Sequence, residues 1–453
     1  MRAAFRSPTA RLASLGGALA LLMIGALALH VPGADTVGTP TRANLFVAVL
    51  ALGVALYLAA IRLVLRADLP RSALWLVLGL AVLMRMALLP SLPFLSSDIY
   101  RYVWDGQVQA AGINPYRYLP VDPALEHLRD PAVFPLINRA TYARTIYPPA
   151  AEAVFGLVGR ASASVTGMKV AMLGFEVVAV MCLLRLLSLS GLPRERIAIY
   201  AWNPLVLWSF ACDGHVDAVA IGLLGLALLV RARRRDGWAG AILAGAVLVK
   251  FLPIVVAPAF LRRGRFRAPA LAGAAVVAAL YLPYLSAGRD LFGFLGAYGS
   301  EEGYDTGAGF WLVAGLSHLV PLPAFAGRAY ALAVAVGFGA LALWIVRRRT
   351  ADASPAAVAL CRDTAILAAC ATAAANPHYA WYYAWLAVPA TVAPIPAVIW
   401  LSAAPVLFLI DPFNERFLWP ALVFVPAAAL ALRSVVRHRP AVPIPAKALE
   451  GTA

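Results

Sequence analysis

Runs of apolar residues long enough to cross a bilayer recur along this chain, and no other feature restricts its fold so tightly. A hydrocarbon core of ~30 Å takes about 20 helical residues. Within it every backbone amide must be satisfied by protein, so spanning segments are helices or closed barrels. Runs at 13–31, 43–65 and 72–91 meet that length, and apolar segments follow at 148–165, 168–189, 197–212 and 213–230. Others lie at 238–260, 268–286, 308–320, 325–346, 356–374, 378–391, 394–410 and 417–433. The short alternating strands of a barrel are not visible. The expected fold is therefore all-α, a polytopic transmembrane helical bundle of about 12–14 spans. A charged fraction of 13%, against ~25% for an ordinary soluble domain, agrees.

The net charge of +16 is nearly all arginine, since the only lysines are Lys169, Lys250 and Lys447. The arginines gather at the ends of apolar runs: Arg62, Arg66 and Arg71; Arg231 to Arg235; Arg262 to Arg267; Arg347 to Arg349. That is the pattern of cytoplasmic loops, so membrane lipid and not nucleic acid is the implied partner. Arg2, Arg6 and Arg11 hold the first residues inside; an uncleaved first span is expected, because no small-residue cleavage site precedes the second run. Three crossings then put residues 92–147 outside, as a long loop rich in proline, arginine and aromatics, with amphipathic stretches such as Ile99 to Ala111 that predict short ordered helices.

Keeping Arg231 to Arg235 inside requires that one of the next four segments fail to cross. The piece at 148–165, opening on Pro148-Pro149 and carrying Glu152 and Arg160, is the expected exception. Residues 238–260 lie between two basic clusters and hold Lys250 and Pro253, which predicts two half-helices meeting near Lys250. Residues 1–440 read as one membrane domain that includes the outer loop, and 441–453 as a disordered cytoplasmic tail. Cys182, Cys212, Cys361 and Cys370 have no metal-ligand spacing and read as small packing residues, with no disulfide framework.

This topology brings the unusual polar groups to one outer face: Asp98, Arg101, Asp105, Tyr147, His215, Asp217, His378 and Tyr382, with Lys250 approaching from within the membrane. A carboxylate there can take a proton from an attacking hydroxyl, and lysine or arginine can stabilise a departing phosphate. Such parts suit a transferase that uses a lipid-phosphate donor. Each residue also has a plainer reading. Asp98 after Ser96-Ser97 can cap a helix, and Asp105 can pair with Arg101 one helical turn away. Trp104, Trp381 and Trp385 can form an interfacial belt. His378 can be a satisfied interfacial histidine, and Lys250 can be ion-paired. His215 and Asp217, two apart, point to different faces. No metal-ligand cluster is evident, so no cofactor is expected, with a divalent metal left open.

The stretch Ser96-Ser97-Asp98-Ile-Tyr-Arg101-Tyr-Val-Trp-Asp105-Gly…Gly112-Ile-Asn-Pro-Tyr116, after an early span, resembles the first outer loop of integral-membrane GT-C glycosyltransferases. It is most similar to polyprenyl-phosphate-mannose-dependent mannosyltransferases and glycosyltransferase family 87. Tyr147-Pro148-Pro149, Asn203-Pro204…Gly214-His215-Val216-Asp217, Lys250-Phe-Leu-Pro253 and His378…Trp381-Tyr382-Tyr383 look like later landmarks of that group. The resemblance implies an inverting transfer of a sugar, mannose first, from a polyprenyl-phosphate donor to a hydroxyl of a cell-envelope glycan or lipid. It places the reaction at the outer face of the bacterial cytoplasmic membrane. Asp98 matches the catalytic base; Lys250 and Arg101 would hold the donor phosphate, and Asp105, Tyr147, His215, Asp217, His378 and Tyr382 would meet sugar or acceptor. Here Ser97 precedes Asp98 and the next acid is Asp105, a departure from the paired acids of the family that leaves Asp98 as the single candidate base. Two spans also precede the one before the loop. A transporter or lipid flippase is the alternative from another class, although no inverted repeat is visible. A ligase for lipid-linked glycan is a third.

Overall fold

A computed structural model describes residues 7–29, 40–261, 266–348, 356–410 and 418–437. The arginines at 262, 263 and 265, the expected outer stretch Asp411 to Arg416 and the expected tail 441–453 lie outside the described residues. All regular structure among the described residues is helical. The first three helices are α1 (Pro8–Gly25), α2 (Pro40–Arg66) and α3 (Ala73–Leu88), followed by α4 (Asp98–Ala110), α5 (Pro149–Ala161) and α6 (Val165–Leu189). The second half holds α7 (Asp217–Ala232), α8 (Asp236–Val247), α9 (Arg267–Tyr281), α10 (Ala326–Arg347), α11 (Ala356–Ala375) and α12 (Leu418–Arg437), joined by short helical turns.

Among the described residues, six helices are long and apolar enough to cross a membrane: Pro8–Leu29, Asn44–Arg66, Val165–Leu189, Arg267–Glu301, Ala326–Arg347 and Ala356–Ala375. Shorter apolar helices stand at Ala73–Leu88, Pro396–Leu409 and Trp419–Ser434. The chain is thus a polytopic helical bundle. The segment Arg267–Glu301 and α10 bury only 11% and 6% of their apolar windows, against 56% for α11. They form the outside of the bundle, where Leu271, Leu332 and Val336 are exposed and lipid replaces protein as the apolar medium.

Proline and asparagine decide where helices fail. The apolar segment at 197–212 is broken at Asn203-Pro204, where Asn203 Oδ1 accepts from the amides of Leu205 (2.9 Å) and Val206 (3.4 Å). Its Nδ2 donates to the carbonyl and hydroxyl of Ser402, both at 3.0 Å. These break residues are fully buried, so irregular backbone sits inside protein, where partners exist for it. Segments 378–391 and 394–410 are likewise runs of short turns, Ala380–Leu386, Ala387–Val392, Pro396–Leu401 and Ala404–Leu409, and are largely interior.

The expected break at Lys250 is present: α8 ends at Val247, and Pro253, which has no amide hydrogen to give, opens the turn Leu252–Val256. The carbonyl of Leu248 freed at this break accepts from the amides of Ala150 (2.9 Å) and Ala151 (3.3 Å). Orphan donors at the start of α5 and an orphan acceptor at the end of α8 therefore satisfy each other. At 13 residues, α5 reaches about 20 Å at 1.5 Å per residue, too short to cross, as its prolines and charges predict.

α5 packs on α4 at a crossing where only glycine fits. A Cβ on Gly106 would stand 2.5 Å from the Phe155 carbonyl oxygen, and one on Gly159 2.4 Å from that of Gly106. Gly106→Val should therefore force the two helices apart and cost about 1–3 kcal/mol, the range for overpacking. Thermal unfolding in detergent measures it; a midpoint equal to that of the unsubstituted protein would show that the crossing gives way without strain. Beneath this pair, Arg85 of α3 binds Glu176 of α6 at 2.7 Å and donates to the Ala201 carbonyl at 2.9 Å, tying the spans to the Asn203 break.

Candidate active site

Asp98 is the first residue of α4, where the helix dipole favours a carboxylate. Ser96 Oγ accepts its amide at 3.1 Å, whereas Ser97, the residue at the cap position, makes no side-chain cap hydrogen bond. Asn138 Nδ2 donates to Asp98 Oδ1 at 2.7 Å, and His215 Nδ1 stands 3.8 Å from Oδ2. Burial pushes the Asp98 carboxyl above the ordinary aspartate range, opposed by the Asn138 hydrogen bond and the charges of Lys250 and Arg139.

Asp98 faces a cavity of about 690 Å3, a size typical of small-molecule sites. Its polar wall carries Arg101, Asn138, Arg139, Arg144 and Lys250 beside Asp98. Tyr147, His378, Tyr379, Trp381 and Tyr382 add rings, and the rest is apolar: Phe46 and Val47 of α2, Phe94, Leu252, Phe408 and Leu409. Lys250 Nζ binds Asp217 Oδ1 at 2.6 Å and lies 3.5 Å from the centroid of the Tyr382 ring, a cation–π seat. The ammonium has three donors, so this pairing leaves capacity toward the cavity.

The remaining expected residues divide into those that reach the cavity and those that stand behind it. Arg101 reaches it, but its Nε is bound to both Asp105 oxygens (2.9 and 3.0 Å) and Nη1 to the Ala143 carbonyl (3.1 Å). Asp105 is buried and is not part of the cavity wall; it serves as the ion-pair partner of Arg101. His215 and Asp217 are also absent from the wall. Each stands next to a residue that does reach the cavity: Asp105 against Arg101, His215 against Asp98 and Trp381, and Asp217 against Lys250. Tyr147 reaches the cavity, its carbonyl fixed by the Tyr116 hydroxyl at 2.6 Å.

His378 reaches it with Nε2 3.2 Å from the Gly309 carbonyl; Nδ1 stands 3.1 Å from Glu302 Oε2 without a hydrogen bond between them. The tryptophans overturn the belt expectation. Trp104 is 1% exposed, Trp381 7% and Trp385 6%, and Trp381 is stacked between His215 (4.1 Å) and Tyr379 (4.7 Å). Burial in the interior, and not the membrane interface, selects these rings.

Asn138, Arg139 and Tyr298 join the site without a signal of their own in the sequence. Arg139 has a left-handed backbone, φ 55°, rare for a residue with a Cβ, and binds Glu301 at 2.6 Å. Tyr298 pairs its hydroxyl with that of Tyr382 at 3.2 Å. These bonds fasten the helical turn Leu295–Glu301, whose Leu295 and Tyr298 line the cavity. Loop residues of this kind carry no periodic signal; only an Asn-Arg pair in a long outer loop marks them in the sequence. Among the described residues no group of three or more histidines, cysteines or acids is placed to hold a metal ion. Positive charge at the cavity comes from Arg101, Arg139, Arg144 and Lys250.

No curated protein and no solved structure matches the chain. Residues 10–262 match the family described as MptA_B family, alpha-(1->6)-mannopyranosyltransferase, N-terminal domain. The match covers more than half of the chain and contains Asp98, Arg101, Asn138, Tyr147, His215, Asp217 and Lys250. On that extent the chain belongs to the MptA_B family of mannosyltransferases, and its apolar helices make it a multi-pass membrane glycosyltransferase.

Proposed function

We propose that the protein transfers mannose, with inversion, from a polyprenyl-phosphate donor to a hydroxyl of a cell-envelope glycan or lipid at the outer face of the bacterial cytoplasmic membrane. One observation carries the reading: a single cavity is lined both by a carboxylate with several cations and by the apolar side chains of Phe46, Phe94, Leu252 and Phe408. A lipid-phosphate sugar has the same two-part chemistry. Asp98 takes the proton of the acceptor hydroxyl as its oxygen attacks the anomeric carbon. The bond from that carbon to the phosphate oxygen breaks, and polyprenyl phosphate leaves with the electron pair. Lys250, with Arg101 and Arg139 beside it, meets the charge that develops there. Tyr147, Tyr382 and Trp381 would line the sugar. The outer-face assignment rests on the arginine clusters, and placement in glycosyltransferase family 87 on the first-loop motif alone. Membership of a transferase family favours this reading over a transporter, flippase or ligase.

The test is transfer by the full-length protein in nanodiscs, with an envelope extract as acceptor. Label should move from polyprenyl-phosphate-mannose with release of free polyprenyl phosphate, and not from a sugar nucleotide; the reverse preference would refute the donor. The acidic limb of kcat/KM reports the free enzyme. A base must be ionised to act, and burial raises the proton affinity of Asp98. The rate should therefore fall as pH is lowered through a midpoint above the ~4 of an ordinary aspartate. A midpoint at or below 4, on the order of the unperturbed value, would remove Asp98 from that limb.

A further inference from the structure

His215 sits in the turn between the wide helical turn Leu207–Cys212 and α7. Its amide donates to the Ser209 carbonyl at 2.9 Å. Gly214 before it has φ +65°, and a Cβ there would meet Ile99 Cδ1 at 2.5 Å and Lys169 Cγ at 2.9 Å. The turn therefore needs glycine, and it fixes where the imidazole goes. The ring is 1% exposed and stacked on Trp381, behind the cavity wall.

Neither ring nitrogen has a hydrogen-bond partner among the described residues, a costly condition for a buried polar group. The acceptor it faces is Asp98 Oδ2, 3.8 Å from Nδ1. Hydrogen bonds of catalytic groups are often long in the free enzyme and tighten when substrate binds. The flanking residues do comparable work. Asp213 accepts from the amides of Phe94 (2.7 Å) and Leu95 (3.0 Å), which lead into Asp98, and Asp217 holds Lys250.

We propose that His215 is the positioning residue of Asp98: its Nδ1–H closes on Oδ2, orients the carboxylate together with Asn138 and favours its ionised form. This rests on the reading of Asp98 as the base. Each carboxylate oxygen keeps a second lone pair, so the acceptor hydroxyl can still be met. Burial and the Lys250 charge push His215 well below the ordinary histidine range, which makes it a neutral donor. The other groups that act on Asp98 are Lys250, Arg139 and Asp217. Asp213 and the phenols of Tyr102, Tyr147, Tyr379 and Tyr382 sense the Asp98 charge in turn.

The test uses the full-length protein in nanodiscs and His215→Phe, which keeps the stack on Trp381 and removes the donor. Two readouts are taken: the acidic limb of kcat/KM, and the infrared titration of the Asp98 carboxyl without donor, its band assigned by difference from Asp98→Asn. Both should move upward by about one pH unit, a tenfold loss of ionised Asp98 at a given acidic pH. His215→Asn, whose amide can donate in place of Nδ1, should move back toward the native profile. An unshifted titration in His215→Phe, or equal loss in both variants without a shift, would overturn the proposal and mark His215 as packing. His215→Ala carries the same expectation and decides the matter if His215→Phe does not fold. Failure of the native protein to transfer from any lipid-phosphate sugar, with the titration shifted as expected, would overturn the base reading instead and leave the hydrogen bond standing.

Discussion

Asp98→Asn is expected to lower mannose transfer by about 10^3-fold, within the ~10^2–10^4 that a positioned general base contributes, while donor binding stays close to native. The substitution is nearly isosteric, and the new amide oxygen can still accept from Asn138 Nδ2, now 2.7 Å from Asp98 Oδ1. What disappears is the ability to take a proton. The loss should therefore fall on kcat in single-turnover transfer and spare the donor dissociation constant. Asp105→Asn supplies the contrast. Asp105 is held against Arg101 inside the protein, so its loss leaves a buried guanidinium without its charge partner and should cost about 3–5 kcal/mol of stability. The two substitutions thus separate chemistry from folding on one helix. Turnover by Asp98→Asn within tenfold of native, on the order of 1.4 kcal/mol in barrier, would sink the mechanism.

What the chain shows without a structure is what is encoded locally. Length and apolarity mark the spanning helices. Pro148-Pro149 sets the start of α5 and Pro253 the end of continuous helix near Lys250. The i, i+4 spacing marks the Arg101–Asp105 pair. The different partners of His215 and Asp217 do not follow from spacing, because His215 lies in the turn before α7 and only Asp217 is on the helix: one turns toward Asp98, the other to Lys250.

Long-range placement is what local patterns do not carry. Asn138 meets Asp98 from 40 residues away and Asp217 meets Lys250 from 33, across loops whose paths depend on packing. Trp104 and Trp381 were misread because tryptophan suits both a membrane interface and a packed interior, and only burial tells the two apart. Which polar residues line the cavity and which lie beside it is a matter of packing for a related reason. The residues at 98, 105, 215 and 217 all lie in polar stretches, but which side chain reaches open space is decided by the helix break at Lys250 and the glycine turn at 214.

Lys250→Met should weaken binding of the polyprenyl-phosphate donor by about 10–100-fold, the worth of one charge-assisted hydrogen bond to phosphate. On its own this substitution is ambiguous, because Lys250 also neutralises Asp217 at 2.6 Å. Its removal leaves an unpaired carboxylate close to Asp98 and should destabilise the fold by about 3–5 kcal/mol, as breaking a buried pair does. Lys250→Met with Asp217→Asn resolves the two roles. The double variant has no orphaned charge, so much of the stability should return. Donor affinity should not return with it, since no cation is restored to the cavity wall. Thermal unfolding and donor titration on the same four proteins close the cycle. Should affinity recover along with stability, Lys250 is only the partner of Asp217, and the phosphate falls to Arg139 and Arg101. If stability recovers and affinity does not, the ammonium itself meets the donor, and the Asp217 carboxylate and Tyr382 ring are there to aim it.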